Sequence, residues 1–142
     1  MPKKYTVLID SNELILGLKG SKPSSKALID DLDKLNELCD FRINETIFQE
    51  ITRNLPLDAK EKFTKLLNVG IIINEAYATN KGLIDKYKNL GLKKGDIPIA
   101  AYAELIQADF LISENRHFLK ELKTKKFKIL DAEQFFKEMV KQ

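Results

Sequence analysis

Apolar positions along the chain change period several times, and each change marks an element. Residues 5–9, Tyr-Thr-Val-Leu-Ile, are apolar or β-branched without polar alternation, the pattern of a strand buried on both faces. Asp10, Ser11 and Asn12 end it and are placed to cap a short helix over residues 13–18. Residues 20–25 read as a loop with Ser24 or Ser25 as the next cap. A helix over 26–39 follows, with Ala27, Leu28, Leu32, Leu35 and Leu38 at roughly helical spacing and Asp30, Asp31, Asp33 and Glu37 on its solvated face. A short strand is predicted at 41–43, and Asn44 caps a helix over 45–54 in which Ile47, Ile51 and Leu55 recur every fourth residue. Pro56 ends that helix. Asp58 with Glu61 has the spacing of a capping box for a helix over 59–68, with Phe63, Leu66 and Leu67 facing inward.

Beyond Gly70 the pattern gives a strand at 71–73, then a helix over 79–89 that Gly91 ends. Residues 94–118 form the most informative stretch: a turn, a helix of small residues, a buried strand and a polar exit. After Phe118 a basic surface helix to about Thr124, a strand at 127–130 and a final helix opened by Asp131 and Gln134 complete the reading. Strands alternating with helices predict a parallel sheet covered on both faces.

Length and composition narrow the class. The 142 residues suit one domain spanning 1–142, and the 44% hydrophobic content suits a folded core. No apolar run approaches the roughly 20 residues that span a bilayer, and the first ten residues do not resemble a signal peptide, so a cytoplasmic protein without a membrane partner is expected. Cys39 is the only cysteine and is expected to be a quiet core thiol. The net charge of +3, from 24 Lys and Arg against 21 Asp and Glu, is compatible with a polyanionic partner.

The acids change the picture more. Asp10 ends the first strand, Glu50 lies inside an early helix on the border of its buried stripe, Asp96 opens a late helix, and Glu114 and Asn115 follow the next strand. Each has an ordinary structural reading: Asp10 and Asp96 as helix caps, Glu50 as a solvated glutamate, Asn115 as a turn former. Asp96 also shares a helix face with Ile99, Ala100 and Ala103, which directs it toward the sheet. Strand ends and helix starts in a parallel sheet open on one edge, where ligands bind. Carboxylates gathered there repel one another unless a cation neutralises them, and Mg²⁺, with its preference for oxygen ligands and waters, suits such a site. Phosphodiester hydrolysis then accounts for clustered acids in a chain without a catalytic cysteine, a Ser-His pair or a phosphate-cradling glycine loop.

Four blocks of the chain resemble the PIN-domain family of metal-dependent nucleases, which includes VapC-like toxins: LIDSN around Asp10, TIFQE ending in Glu50, GDIPIAAYA beginning at Asp96, and ADFLISENRHF after it. The resemblance covers most of the chain. It implies a three-layer α/β/α sandwich with a central parallel sheet, Mg²⁺ or Mn²⁺ at the acidic edge, and endoribonuclease activity. Asp10, Glu50 and Asp96 would be the catalytic, metal-binding acids, joined by Asn115 or Glu114, with Ser11, Asn12 and Ser113 supporting them. The sequence departs from the family at His117, which stands where a second acid is usual after the strand.

Metal-dependent RNA cleavage is accordingly the first functional expectation, with Lys93, Lys94, Arg53 and Arg116 as candidate phosphate-holding residues. A toxin of this kind implies an antitoxin partner and a homodimer, and a housekeeping RNA-maturation nuclease would use the same site. A scaffold with weakened turnover that binds RNA or protein is the second expectation. A phosphoryl-transfer protein is the third, disfavoured because Asn12 stands where a haloacid-dehalogenase-type phosphatase has its second Asp, and because Ser11 and Asn12 do not supply the paired acids of a receiver domain.

Overall fold

The computed structural model describes residues 3–76, 80–115 and 117–141, in which strands and helices alternate. The order is β1 (Tyr5–Ile9), α1 (Ser11–Lys19), α2 (Pro23–Leu35), β2 (Cys39–Asn44), α3 (Glu45–Asn54), α4 (Leu57–Asn68), β3 (Ile72–Glu75), α5 (Lys81–Asn89), α6 (Ile97–Leu105), β4 (Phe110–Ile112), β5 (Lys128–Leu130) and α7 (Ala132–Val140). One π-helical turn, His117–Glu121, stands between β4 and β5.

The five strands form one sheet in the order β3-β2-β1-β4-β5, with every pairing parallel. Val7 lies level with Phe41 on one side and Phe110 on the other, and Val7, Leu8 and Ile9 are fully buried, as the unbroken apolar run requires of a central strand covered on both faces. Helices flank the sheet, so the α/β architecture expected from the alternation is the one observed. The chain runs outward from β1 to β2 and β3, then returns to the other side of β1 for β4 and β5. The β1/β4 boundary is therefore the topological switch point, where an open parallel sheet leaves a crevice at the carboxyl ends of its strands.

Element boundaries depart from the sequence pattern where backbone rather than side chain starts a helix. Helix α2 begins at Pro23, whose fixed φ suits a first helical position, and not after a serine cap. Ser25 is instead buried inside it. Helix α4 begins at Leu57 behind Pro56, also without a side-chain cap, while Asp58 accepts from the adjacent Ala59 N–H at 3.0 Å. The α2 helix stops at Leu35, which throws Leu38 out of phase and leaves it 48% exposed. Strand β2 accordingly starts at Cys39, two residues before the predicted strand. Its thiol is buried, which pushes its pKa up to about 12. The fifth helix starts at Lys81 under an Asn80 cap, and Thr79 lies outside the described residues. The basic helix expected after Phe118 is the single π-helical turn, and β5 is Lys128–Leu130.

Two elements fit the pattern closely. Asn44 accepts from Ile47 N–H at 3.1 Å and opens α3 over residues 45–54 as expected, with Ile47 and Ile51 buried. Asp131 and Gln134 form a reciprocal capping box at the start of α7. Helices α1 and α2 meet at Gly17, where a Cβ would stand 2.3 Å from Ile29 Cγ1 and 2.6 Å from the Ser25 carbonyl oxygen. Only glycine permits that approach.

Candidate functional site

Asp10 sits at the carboxyl end of β1, on the switch point, and is 2% exposed. Its carboxylate is closely held: Ser11 N–H donates to Oδ1 at 2.8 Å, Ser113 Oγ donates to Oδ2 at 2.7 Å, and Asn12 Nδ2 reaches Oδ2 at 3.4 Å. Ser113 follows β4, the neighbouring strand, so its contact with Asp10 is a direct product of the β1/β4 pairing. Burial raises the pKa of Asp10 to about 6 against the pull of those hydrogen bonds, and the charges of Glu50 and Asp96 push the same way. The three acids thus share one electrostatic environment although they come from β1, α3 and the start of α6.

Glu50 is brought in by α3 and tied to the first strand's exit by Ser11 Oγ, which donates to Oε2 at 2.5 Å. Asp96 occupies the N-cap position of α6, yet its side chain makes no capping hydrogen bond. Its carboxylate accepts from Asn115 Nδ2 at 3.3 Å instead. Burial raises its pKa; His117, Lys93 and the Asn115 amide oppose the rise, and Glu50 adds to it. The ordinary reading of Asp96 as a capping residue therefore does not account for its side chain.

The polar exit of β4 is a small hydrogen-bonded knot. Asn115 N–H donates to Ser113 Oγ at 3.0 Å, Asn12 Nδ2 lies 3.4 Å from the same oxygen, and Glu114 N–H donates to Asn12 Oδ1 at 3.1 Å. Asn115 Oδ1 accepts from His117 N–H at 2.9 Å, so this side chain presents its amide nitrogen to Asp96. Glu114 faces away from the three acids. It pairs with Lys22 and accepts from Ala132 N–H at 3.0 Å.

Beside Glu114 lies Glu13, fully buried in α1 and absent from the sequence-level candidates. Burial first, and then the adjacent Glu114, push its carboxyl far above the usual range, while Glu114 is held low by Glu13 and Lys22 against the cost of burial. A neutral Glu13 beside an ionised Glu114 is the state these shifts favour, although neither Glu13 oxygen accepts a hydrogen bond from a described residue. The available signal was positional: Glu13 precedes Gly17 by one helical turn and so shares its face toward α2.

The basic candidates divide. Lys93 is exposed on the α5–α6 connection, with Nζ 2.7 Å from His117 Nε2, close enough to donate to an unprotonated ring nitrogen. Lys94 on the same connection and Arg53 in the last turn of α3 are exposed, and among the described residues neither is drawn to the acids by an ion pair. Arg116 lies outside the described residues.

The donor chemistry suits a hard dication: buried or half-buried, mutually repelling carboxylates at one sheet edge with hydroxyls beside them. Among the described residues, however, no three Asp, Glu, His or Cys side chains gather tightly enough to hold a metal ion. A Mg²⁺ or Mn²⁺ ion would therefore rest on one or two carboxylates at a time and keep several waters, as Mg²⁺ commonly does. Also among the described residues, no helix is long and apolar enough to cross a membrane.

No family model matches the chain, and no curated protein sequence matches it. Among solved structures it is similar to a chain in the crystal structure of VapBC2 from Rickettsia felis bound to a DNA fragment from their promoter. The TM-score is 0.61 and the identity 14%, over 87% of this chain and 96% of that one. At that identity the likeness is one of fold: the five-stranded parallel sheet and its flanking helices.

Proposed function

We propose that the protein is a metal-dependent endoribonuclease that hydrolyses RNA phosphodiester bonds. The observation that carries this reading is the mutual electrostatic influence of Asp10, Glu50 and Asp96 beside the switch point, with separate donors from Ser11, Ser113 and Asn115 holding each carboxylate. A bound Mg²⁺ or Mn²⁺ would supply an activated water and offset charge on a phosphoryl oxygen. The protein's part is to hold the carboxylates before substrate arrives. Ser113 and the Ser11 backbone orient Asp10, Ser11 Oγ orients Glu50, and Asn115 orients Asp96 and so contributes through that acid rather than through its own oxygen. Lys93 and His117 form a cationic and polar rim beside Asp96, suited to a backbone phosphate.

Within this reading the protein acts as the toxin of a toxin-antitoxin pair. The support is the fold shared with a chain of the VapBC2 structure, together with the four sequence blocks named above. An antitoxin is the implied protein partner.

The test is cleavage of a mixed pool of structured RNAs by wild type and Asp96→Asn, each with Mg²⁺, Mn²⁺ or EDTA. Wild-type cleavage that needs metal and disappears in Asp96→Asn is the expected result; cleavage that survives EDTA, or equal activity in the variant, would sink the assignment. A second reading, an RNA-binding module with weakened turnover, rests on His117, which pairs with Lys93 and stands where a second acid is usual in PIN-domain nucleases. It predicts RNA binding without cleavage at any metal concentration.

A further inference from the structure

Beside Asp96 lies a cleft of about 200 Å³ that Asp10 and Glu50 do not line. Its walls are two irregular segments. One is the α5–α6 connection, turned by Gly91 at φ 85°, and the other is the π-helical turn that begins at His117. Leu92, Phe118 and Leu122 supply apolar lining; Phe118 is 1% exposed, and the two leucines are half-buried against the core. Lys93, Asp96 and His117 supply the polar positions.

We propose that this cleft receives one unpaired nucleobase of the RNA strand, next to the phosphate held at the three acids. The inference rests on the nuclease reading and extends it to how the strand is selected. A nucleobase has apolar faces and a hydrogen-bonding edge, and the cleft offers both kinds of surface. Its volume lies below the roughly 300–1,000 Å³ of pockets for drug-sized ligands, which suits one ring system rather than a longer ligand. Asp96 belongs both to the acid site and to the cleft wall, so a base seated here is covalently near a phosphate at the acids. The Lys93–His117 pair adds positive charge for the intervening backbone. Sequence-specific RNA recognition commonly works this way, by taking an unstacked base into a protein surface and reading its edge.

The other recesses are less suitable. Two recesses along the π-helical turn and the segment after it, of about 430 and 220 Å³, include no acid of the site and so would not place a base next to a phosphate held there. The cavity beneath Asn44, Pro98 and Tyr102 is about 50 Å³, too small for a ring system. A wider groove formed by Ile84, Lys88, Leu92 and Ile97 is broadly apolar and does not include an acid of the site.

The experiment compares binding of fluorescent eight-residue oligomers of rA, rC, rG and rU with an abasic ribose-phosphate octamer, without metal so that binding is read apart from cleavage. Leu90→Trp, at a 56% exposed position that lines this cleft and none of the other recesses, narrows its mouth without altering an acid or a cation, and Leu122→Trp fills it from the π-helical side if the first variant does not fold. Wild type should bind at least one base-bearing oligomer fivefold or more tighter than the abasic strand. A filled cleft should remove that preference while leaving abasic binding within twofold. Equal wild-type affinity for base-bearing and abasic strands would overturn the base site, as would a preference that survives both fillings. The same oligomers incubated with Mg²⁺ or Mn²⁺ test the nuclease reading separately: base preference without any cleavage would remove the hydrolysis and leave the base cleft standing.

Discussion

Two groups of acids lie on either side of Asn12, and they are built in opposite ways. In one, Asp10, Glu50 and Asp96 each receive neutral donors from serine or amide groups, and burial first, then the charges of Glu50 and Asp96, pushes Asp10 upward, with His117 and Lys93 offsetting the same pressure at Asp96. In the other, Glu13 and Glu114 sit against Lys22 and the Ala132 N–H, with one carboxyl kept neutral and the other ionised. The first group keeps electrostatic strain that an added cation would relieve. The second relieves its mutual repulsion by keeping Glu13 neutral beside a lysine-paired Glu114. An acid's identity therefore does not reveal its use; the charge balance of its surroundings does.

The sharpest way to break this comparison is to neutralise one acid in each group and measure RNA cleavage. Asp10→Asn should lose at least about 10²-fold, since metal-assisted charge stabilisation is worth several kcal/mol. Glu114→Gln should stay within about threefold, because the change is isosteric and its carboxylate faces Lys22 rather than the three acids. A comparable loss in both variants would merge the two groups into one site.

Stability should move the other way. A carboxyl whose pKa is raised on folding contributes stability that is fully present below its unfolded value, near 3.8 for Asp10, and is lost as pH rises through about 6. Asp10→Asn should thus unfold at a higher denaturant concentration than wild type at pH 8, by up to about 3 kcal/mol, with the gap closing between pH 6 and pH 4. A gap independent of pH would show that Asp10 carries no such strain. Lys22→Met should instead destabilise by roughly 1–3 kcal/mol, because it strips a partner from a buried carboxylate. Chemical denaturation at pH 7 reads this directly, and an unchanged midpoint would mean that the second group does not need its lysine.

The smallest effect concerns the rim. Lys93→Gln should flatten the salt dependence of single-stranded RNA binding by about 0.7 in the log-log slope, the value for one phosphate contact. Lys94→Gln, which is not drawn toward the acids, should leave the slope unchanged.

Much of this was readable from residue order, and the exceptions have a common cause. The unbroken apolar run of β1, the Asn44 cap of α3 and the Asp131–Gln134 box of α7 are local signals, and the structure repeats them. Starts set by proline and backbone, as at Pro23 and Leu57, leave no polar side chain to read. The approach of Asp10 and Asp96 followed from topology, because strand ends and helix starts of a parallel sheet share an edge; Glu50, in the middle of α3, is brought in by the hydrogen bond from Ser11 Oγ, which spacing does not reveal. Which way Glu114 and Asn115 point could not follow from spacing: it depends on Lys22, Ala132 and His117 as competing partners, of which two come from distant parts of the chain. Glu13 was hidden for a similar reason, since its burial depends on how closely α1 approaches α2.

That approach bears on how the protein could grip a strand. Gly17 lets α1 lie directly on α2, and α1 carries Ser11 and Asn12 at its first turn, so one side of the crevice is a fixed jaw clamped to the body of the protein. The opposing side, formed by the α5–α6 connection and the π-helical turn, has no comparable helix-on-helix lock through a missing side chain. Gly17→Ala should therefore displace α1 from α2 and, with it, the Ser11 donors that hold Asp10 and Glu50, a change in the acid site made from a residue that touches none of the three acids.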